Sequence, residues 1–348
     1  MVGRDGELAL PWIGATLAEG LRRRAHALLL SGAPGSGLFE LALSLAQGLL
    51  CEAEAGASRP CGRCASCRLV QARSHPDLLV LLPEALREAL GWEAGSEDDE
   101  GGERRKPSRE IKVDAVRAAI EFAQTTTARG RAKVVVVHPA ERLNPIAANT
   151  LLKTLEEPPG SARFVLASGA ADALLPTIRS RCERLPLPVP PAEAALAWLA
   201  AQGVREPAVL LAACGGEPLT ALQWQQDGVD ARLWQLLPGL VARGEATPFL
   251  NWPAARFVGA LQKLCHDALC AASGSAPRYF PAGTVRKGPQ LGALVAWSRE
   301  LARISKDVEH PWNAGLLVEA LVEDAKNALS SAPAEVPGGG GQPLHSAG

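Results

Sequence analysis

Val134-Val135-Val136-Val137 constrains this chain more than any other stretch. Four consecutive β-branched residues without polar alternation suit a strand covered on both faces, because a half-solvated strand would alternate. Leu78-Leu79-Val80-Leu81-Leu82 and Ala27 to Leu30 read the same way, and Arg163 to Ala167 forms a further strand. Helical patterns lie between them. Ile13, Leu17 and Leu21 repeat at helical spacing, Leu38, Leu41, Leu45 and Leu49 line one helix face, and Ile111 to Ala128 reads as a helix. Asn144-Pro145 supplies an N-cap followed by proline at the first helical position. That helix is expected to stop at Glu157, because Pro158-Pro159-Gly160 cannot continue it. Strands alternating with helices imply a doubly wound, mostly parallel sheet over residues 1–187.

The texture changes after Pro186-Leu187-Pro188-Val189-Pro190-Pro191. Strand-like runs disappear, and Ala, Leu, Trp, Gln and Arg recur at helical spacing as far as Leu329. An α/β part is therefore followed by an all-α part, divided near residues 226 to 230. Two segments read as unstructured. The charged loop 93–110 contains Glu97-Asp98-Asp99-Glu100 and then Arg104-Arg105-Lys106, and the tail 331–348 is too rich in Gly and Pro to fold. No internal repeat is evident.

Composition narrows the function classes. The 348 residues are 47% hydrophobic and 21% charged, enough to bury a core. Thirty-six basic residues against 37 acidic ones exclude a strongly basic DNA-coating protein. No run approaches the ~18 apolar residues of a membrane span. Met1 to Leu10 lacks a signal-peptide pattern, so the expected location is the cytoplasm, with cysteines as thiols or metal ligands.

Three stretches carry chemistry. The first is the glycine-rich turn Gly32-Ala33-Pro34-Gly35-Ser36-Gly37, between a strand and a helix as a phosphate-binding loop requires. Leu38 stands where the phosphate-neutralising Lys belongs, and Phe39 where the Mg²⁺-holding hydroxyl belongs. The Val134 strand ends in His138-Pro139 rather than in an acidic pair, and Glu141 comes two residues too late. A sheet with both losses is not expected to bind or hydrolyse ATP. The second stretch is Cys51, Cys61, Cys64 and Cys67, a C-x9-C-x2-C-x2-C pattern turned by Pro60, Gly62 and Ser66. Four thiolates in one loop can close a tetrahedral structural Zn²⁺ site; redox or iron–sulfur use of the same thiolates stays open. His75 is a weak substitute ligand, and Cys182, Cys214, Cys265 and Cys270 read as small core residues. The third stretch joins Leu151 to Pro159 with Thr177-Ile178-Arg179-Ser180-Arg181-Cys182. An exposed Arg at a helix end, beside a Ser, can reach a neighbour's phosphate as an arginine finger, though a surface ion pair is the simpler use.

Together these stretches closely resemble the delta-prime family of bacterial DNA polymerase III clamp-loader subunits, AAA+ proteins without ATPase activity. The resemblance runs from Pro11-Trp12 to about Ala328. Its most specific pieces are the cysteine insert with Ser74-His75-Pro76-Asp77, Val113 to Arg117, Leu151 to Pro159 and Ser180-Arg181-Cys182; Asn313 to Glu319 resembles the family's last helix. The resemblance implies an AAA+ P-loop-like sheet domain, residues 1–187, with a zinc module at 51–67. A small helical lid at 188–228 and a helical collar for oligomerisation at 229–330 follow. It implies a non-hydrolysing stator in a hetero-pentamer with ATPase (gamma/tau) and delta subunits. This assembly loads the sliding clamp on primer-template DNA for the DNA-directed DNA polymerase, a nucleotidyltransferase. Arg181, with Ser180, is then the finger acting in trans. Leu219 in Gly216-Glu217-Pro218-Leu219 replaces a phosphate-sensing Arg, and Ser168 keeps a polar sensing position.

Three other readings use the same residues. An active motor subunit would need a Lys at position 38. A zinc-containing DNA-binding or repair module would let Arg59, Arg63 and Arg68 track phosphates. A regulatory AAA+ scaffold outside replication would differ in its partners.

Overall fold

The computed structural model describes residues 1–54, 58–92, 107–285, 289–307 and 314–330. Residues 93–106 of the charged loop and the tail 331–348, expected to be unstructured, lie outside the described residues. The strands are β1 (Ala27–Ser31), β2 (Leu78–Leu81), β3 (Val134–Val137), β4 (Arg163–Ser168) and β5 (Glu183–Pro186). The helices begin with α1 (Gly14–Arg22), α2 (Leu38–Leu50), α3 (Ala65–Gln71), α4 (Glu84–Arg87), α5 (Val113–Gln124), α6 (Pro145–Glu156) and α7 (Pro176–Arg179). They continue with α8 (Ala192–Ala201), α9 (Pro207–Ala213), α10 (Pro218–Gln226), α11 (Ala231–Arg243), α12 (Ala254–Ala272), α13 (Leu291–Lys306) and α14 (Ala314–Ser330).

The five strands form one parallel sheet in the order β2-β3-β4-β1-β5. The unbroken apolar runs follow from what covers them. Val135 and Val137 of β3 and Phe164 and Leu166 of β4 pack with Val116 of α5 and Leu151 and Leu155 of α6. Val134, Val136, Val165 and Ala167 pack on the other face with Ile13, Leu17, Leu41 and Leu45. Successive residues of a strand point to opposite faces, so a strand walled on both sides needs an apolar residue at every position.

Asn144 caps α6 by accepting the Ala147 N–H at 2.8 Å, and the helix ends at Glu156, one residue before the expected stop at Glu157, which is its C-cap. The helix expected over Ile111 to Ala128 is shorter at both ends. Ile111 instead donates its N–H to the Arg142 carbonyl at 2.7 Å, beside Leu143. At the other end, the Ala128 and Arg129 N–H groups donate to the Asp77 carboxylate at 2.8 and 2.9 Å. The backbone there serves a tertiary partner rather than the helix. β5 is the strand that the sequence patterns do not reveal. Only Leu185 of its four residues is buried, as suits an edge strand.

The chain divides into two compact units. One comprises Met1–Gln202 with Gly216–Thr220; the other comprises Gly203–Gly215 with the residues from Ala221 onward. In the second unit every regular element among the described residues is helical. Its core combines Phe257, Leu261 and Leu264 of α12 with Trp297 and Leu301 of α13 and Val318 and Val322 of α14, all buried. Trp234 stacks on Phe280 with ring centroids 4.4 Å apart. The buried Asp267 carboxylate accepts the N–H groups of Arg278, Tyr279 and Phe280 at 2.8–2.9 Å, so its desolvation is offset by three bonds. A break between α10 and α11 falls at residues 227–230, where Gly228 adopts φ +82° and Asp230 caps α11.

Candidate functional site

The glycine-rich turn leaves the end of β1 and leads directly into α2. Gly37 has φ +100°, a conformation that favours glycine. Leu38 is fully buried beneath the turn among Leu10, Ile13 and Leu41, so this position feeds the core. Phe39 stacks on His138, ring centroids 5.0 Å apart and planes 28° from parallel, and meets Trp92 edge-on. The places of a metal-holding hydroxyl and its acidic partner are thus filled by two rings packed on each other. Burial holds the His138 imidazole below its ordinary range, against the opposing pull of Glu141, which favours its charged form. Glu141 itself accepts the Gly169 N–H at 3.1 Å.

Gly35 and Ser36 use their donors within the chain. Gly35 donates its N–H to Glu217 Oε2 at 3.1 Å, and the Thr220 hydroxyl donates to the same oxygen at 2.8 Å. A Cβ at position 35 would clash with the Thr220 hydroxyl and lie 2.7 Å from Glu217 Oε2. Glycine at 35 is therefore required by close approach. The Ser36 hydroxyl turns back to the Ala33 carbonyl at 2.6 Å, and Trp12 Nε1 donates to the Ser36 carbonyl at 2.7 Å. A backbone N–H at the start of a helix suits an anion. Here that anion is the chain's own carboxylate. Glu217 lies in the segment whose Leu219 was expected to replace a sensing Arg, and Leu219 packs against the same core as Leu38. Ser168 is fully buried and accepts the Ala170 N–H at 3.2 Å.

Cys51, Cys61, Cys64 and Cys67 converge. Their four Sγ atoms lie within 4.8 Å of one another, with 3.9 Å between Cys51 and Cys64 and 4.0 Å between Cys61 and Cys67. A disulfide would need roughly 2.05 Å, whereas a tetrahedron with ~2.3 Å metal–sulfur bonds has edges of roughly 3.8 Å. The donor set fits one tetrahedral thiophilic ion. N–H groups of Cys61, Cys64 and Cys67 donate to the sulfurs of Cys51, Cys61 and Cys64 at 3.3–3.4 Å, as suits sulfurs carrying negative charge. Burial pushes the Cys51 and Cys67 thiols up. Burial also opposes ionisation of Cys61, but the Cys64 and Arg63 N–H groups and neighbouring thiols outweigh it and bring it down to about 6.

His75 is not a ligand here. Its Nδ1 accepts the Asp77 N–H at 3.0 Å, which leaves the proton on Nε2, 2.9 Å from the Ser66 hydroxyl. Ser66 in turn donates to Glu52, which also accepts from Arg129 at 2.7 Å. Asp77 is fully buried and pairs with Lys133 at 3.0 Å. This chain of contacts, which spacing alone does not show, bolts the cysteine loop to the edge of the sheet. Two of the arginines flanking the cysteines serve the module's own backbone: Arg59 donates to the Ala53 carbonyl and Arg68 to the Arg63 carbonyl.

Arg181 follows α7, just before β5. Its Nε donates to Glu156 Oε1 at 2.6 Å, its Nη2 reaches the same oxygen, and its Nη1 donates to the Thr177 carbonyl at 3.0 Å. The Ser180 hydroxyl is bonded to the Thr177 carbonyl at 3.1 Å, within its own turn. Arg179 pairs with Asp172 instead. Cys182, Cys214 and Cys265 are buried as expected, and Cys270 is half-buried near His266.

A parallel sheet with a glycine turn at the end of an inner strand, followed by a helix, defines a P-loop-like sheet domain. The profile of the family described as DNA polymerase III, delta subunit, matches residues 17–191. DNA polymerase III subunit delta' of Pseudomonas aeruginosa is 41% identical over 236 residues, 66% of this chain and 65% of that protein, just under two thirds of its length. The subunit delta' of Escherichia coli is 35% identical over 259 residues, 69% of this chain and 71% of that protein. DNA polymerase III subunit tau of E. coli is 36% identical over 168 residues, 48% of this chain and 22% of that protein. The chain belongs to the DNA polymerase III delta-prime subunit family.

Proposed function

We propose that this chain is the non-hydrolysing stator of a clamp loader, joining ATPase (gamma/tau) and delta subunits in a hetero-pentamer that places the sliding clamp on primed DNA. Arg181 is its working residue, supplied in trans to the ATP of the adjacent subunit, with Ser180 shaping the turn that carries it. Residues 1–187, 188–228 and 229–330 then serve as sheet domain, lid and collar. A structural Zn²⁺ held by Cys51, Cys61, Cys64 and Cys67 fixes the insert and takes no part in chemistry, since four protein ligands close its coordination.

One observation carries the reading: the mouth of the glycine turn is filled from within. Leu38 is buried, Phe39 and His138 stack, and Gly35 donates to Glu217. A nucleotide would have to displace a carboxylate and find neither lysine nor metal ligand. Family membership supports the choice of partners.

The test uses the loader reconstituted with its cognate subunits, clamp and primed DNA. Arg181→Ala is expected to leave assembly intact and to lower DNA-stimulated ATPase by about 10³ or more at the site it serves. Unchanged turnover would remove the finger. Calorimetric titration of the lone chain with Mg-ATP is expected to give no saturable heat. The rival DNA-binding reading requires steep salt-dependent binding of DNA by the lone chain. The internal use of Arg59 and Arg68 speaks against it.

A further inference from the structure

We infer that Glu156 is the positioning residue of Arg181, setting which edge of the guanidinium faces outward; the inference rests on the finger reading above. A guanidinium has five N–H donors: one on Nε and two on each terminal nitrogen. Glu156 Oε1 takes the Nε–H and one Nη2–H, and the Thr177 carbonyl takes one Nη1–H. One N–H on each terminal nitrogen is left over. Two such N–H groups, one on each terminal nitrogen, can address the oxygens of a phosphate.

The holder and the held come from different elements. Glu156 is the last residue of α6, whose start is capped by Asn144 and whose Leu151 and Leu155 are buried in the sheet's core. Thr177 lies on α7, anchored by the buried Ile178. Both supports are therefore fixed to the sheet, while Arg181 and Glu156 keep 29% and 47% of their side chains exposed. An exposed ion pair of this sort contributes little to stability. It removes rotamer freedom from a long side chain, which matters when the group must meet a phosphate within about half an ångström. The Leu151 to Pro159 and Ser180 to Cys182 stretches thus form one device: the first stretch aims what the second supplies.

The experiment is a double-mutant cycle in the reconstituted loader, with ATP, clamp and primed DNA and with intact complexes isolated by size. Glu156→Ala is expected to lower kcat about tenfold with the KM for ATP unchanged, less than the loss in Arg181→Ala. The double variant is expected to match Arg181→Ala alone, because an aim has no value without the group aimed. Glu156→Gln, which keeps an acceptor oxygen, is expected to recover most of the rate. Where Glu156→Ala does not assemble, Glu156→Met, which keeps the length of the side chain but not its acceptor oxygen, takes its place in the same cycle. Parental kcat in Glu156→Ala beside a large loss in Arg181→Ala overturns the positioning role alone. Losses that multiply in the double variant also overturn it. Parental kcat in Arg181→Ala overturns the finger reading, and this inference with it.

Discussion

Phe39 and His138, ninety-nine positions apart in the chain, stack face to face at 5.0 Å where a motor protein would hold its metal. Each replacement makes room for the other. A ring at 39 needs a flat apolar neighbour, and an imidazole held neutral by burial provides it. The two positions form one packed contact rather than two separate replacements.

The same burial sets a pH dependence. His138 has a folded-state pKa below its ordinary value near 6.5, so the unfolded chain binds the proton more readily. Its contribution to stability is complete above about 6.5 and is lost as the pH falls below that value. Urea midpoints of the parent and His138→Gln, compared between pH 7.5 and 5.5, are expected to converge on the acid side. A constant gap across that range would contradict the assignment.

Gly35→Ala is expected to destabilise the chain by about 1–3 kcal/mol, because the added methyl meets the Thr220 hydroxyl and the Glu217 side chain, its Cβ included, and they must shift to admit it. Thermal melting of the variant measures it, and adding Glu217→Ala should recover part of the loss. If Gly35→Ala melts with the parent, the turn is not closed by that carboxylate.

Asp77→Asn tests the bolt between the cysteine loop and the sheet. It leaves the buried Lys133 ammonium without its counter-charge and is expected to cost about 3–5 kcal/mol. Burial alone would raise the Asp77 pKa, but the Ala128 and Arg129 N–H groups and Lys133 outweigh it and hold the carboxyl below its ordinary 3.8. Its stabilisation is thus present above about 3.8 and disappears as the pH falls further. Denaturant titrations of parent and variant should differ at neutral pH and approach each other in strong acid.

Protein prepared without chelator is expected to carry ~1 zinc per chain, and Cys64→Ala to carry ~0. Elemental analysis with thiol titration decides the point. A metal-free parent would leave the thiolate cluster without its reason.

The sequence made the sheet legible because walls on both faces force apolar residues at every position of β3 and most of β1, β2 and β4. β5 escaped because Glu183, Arg184 and Pro186 are its exposed majority. The cysteine cluster was legible because four ligands in one loop depend on local spacing. Glu217 and Glu156 were not. Their partners Gly35 and Arg181 lie 182 and 25 residues away, and which carboxylate meets which N–H is fixed only when the segments come together. The over-long helix at Ile111 to Ala128 has the same origin, since periodicity cannot see that Asp77 claims the backbone at Ala128 and Arg129.

Among the described residues β2 has a ladder partner on one side only, and the cysteine loop is tied to its entry through His75 and Asp77. If the four thiolates hold an ion, its loss would loosen the segment leading into a strand with one unladdered edge, the kind of rim that recruits copies of itself. Clumping, well before any fading of helical signal, is therefore the earliest symptom to look for in demetallated material.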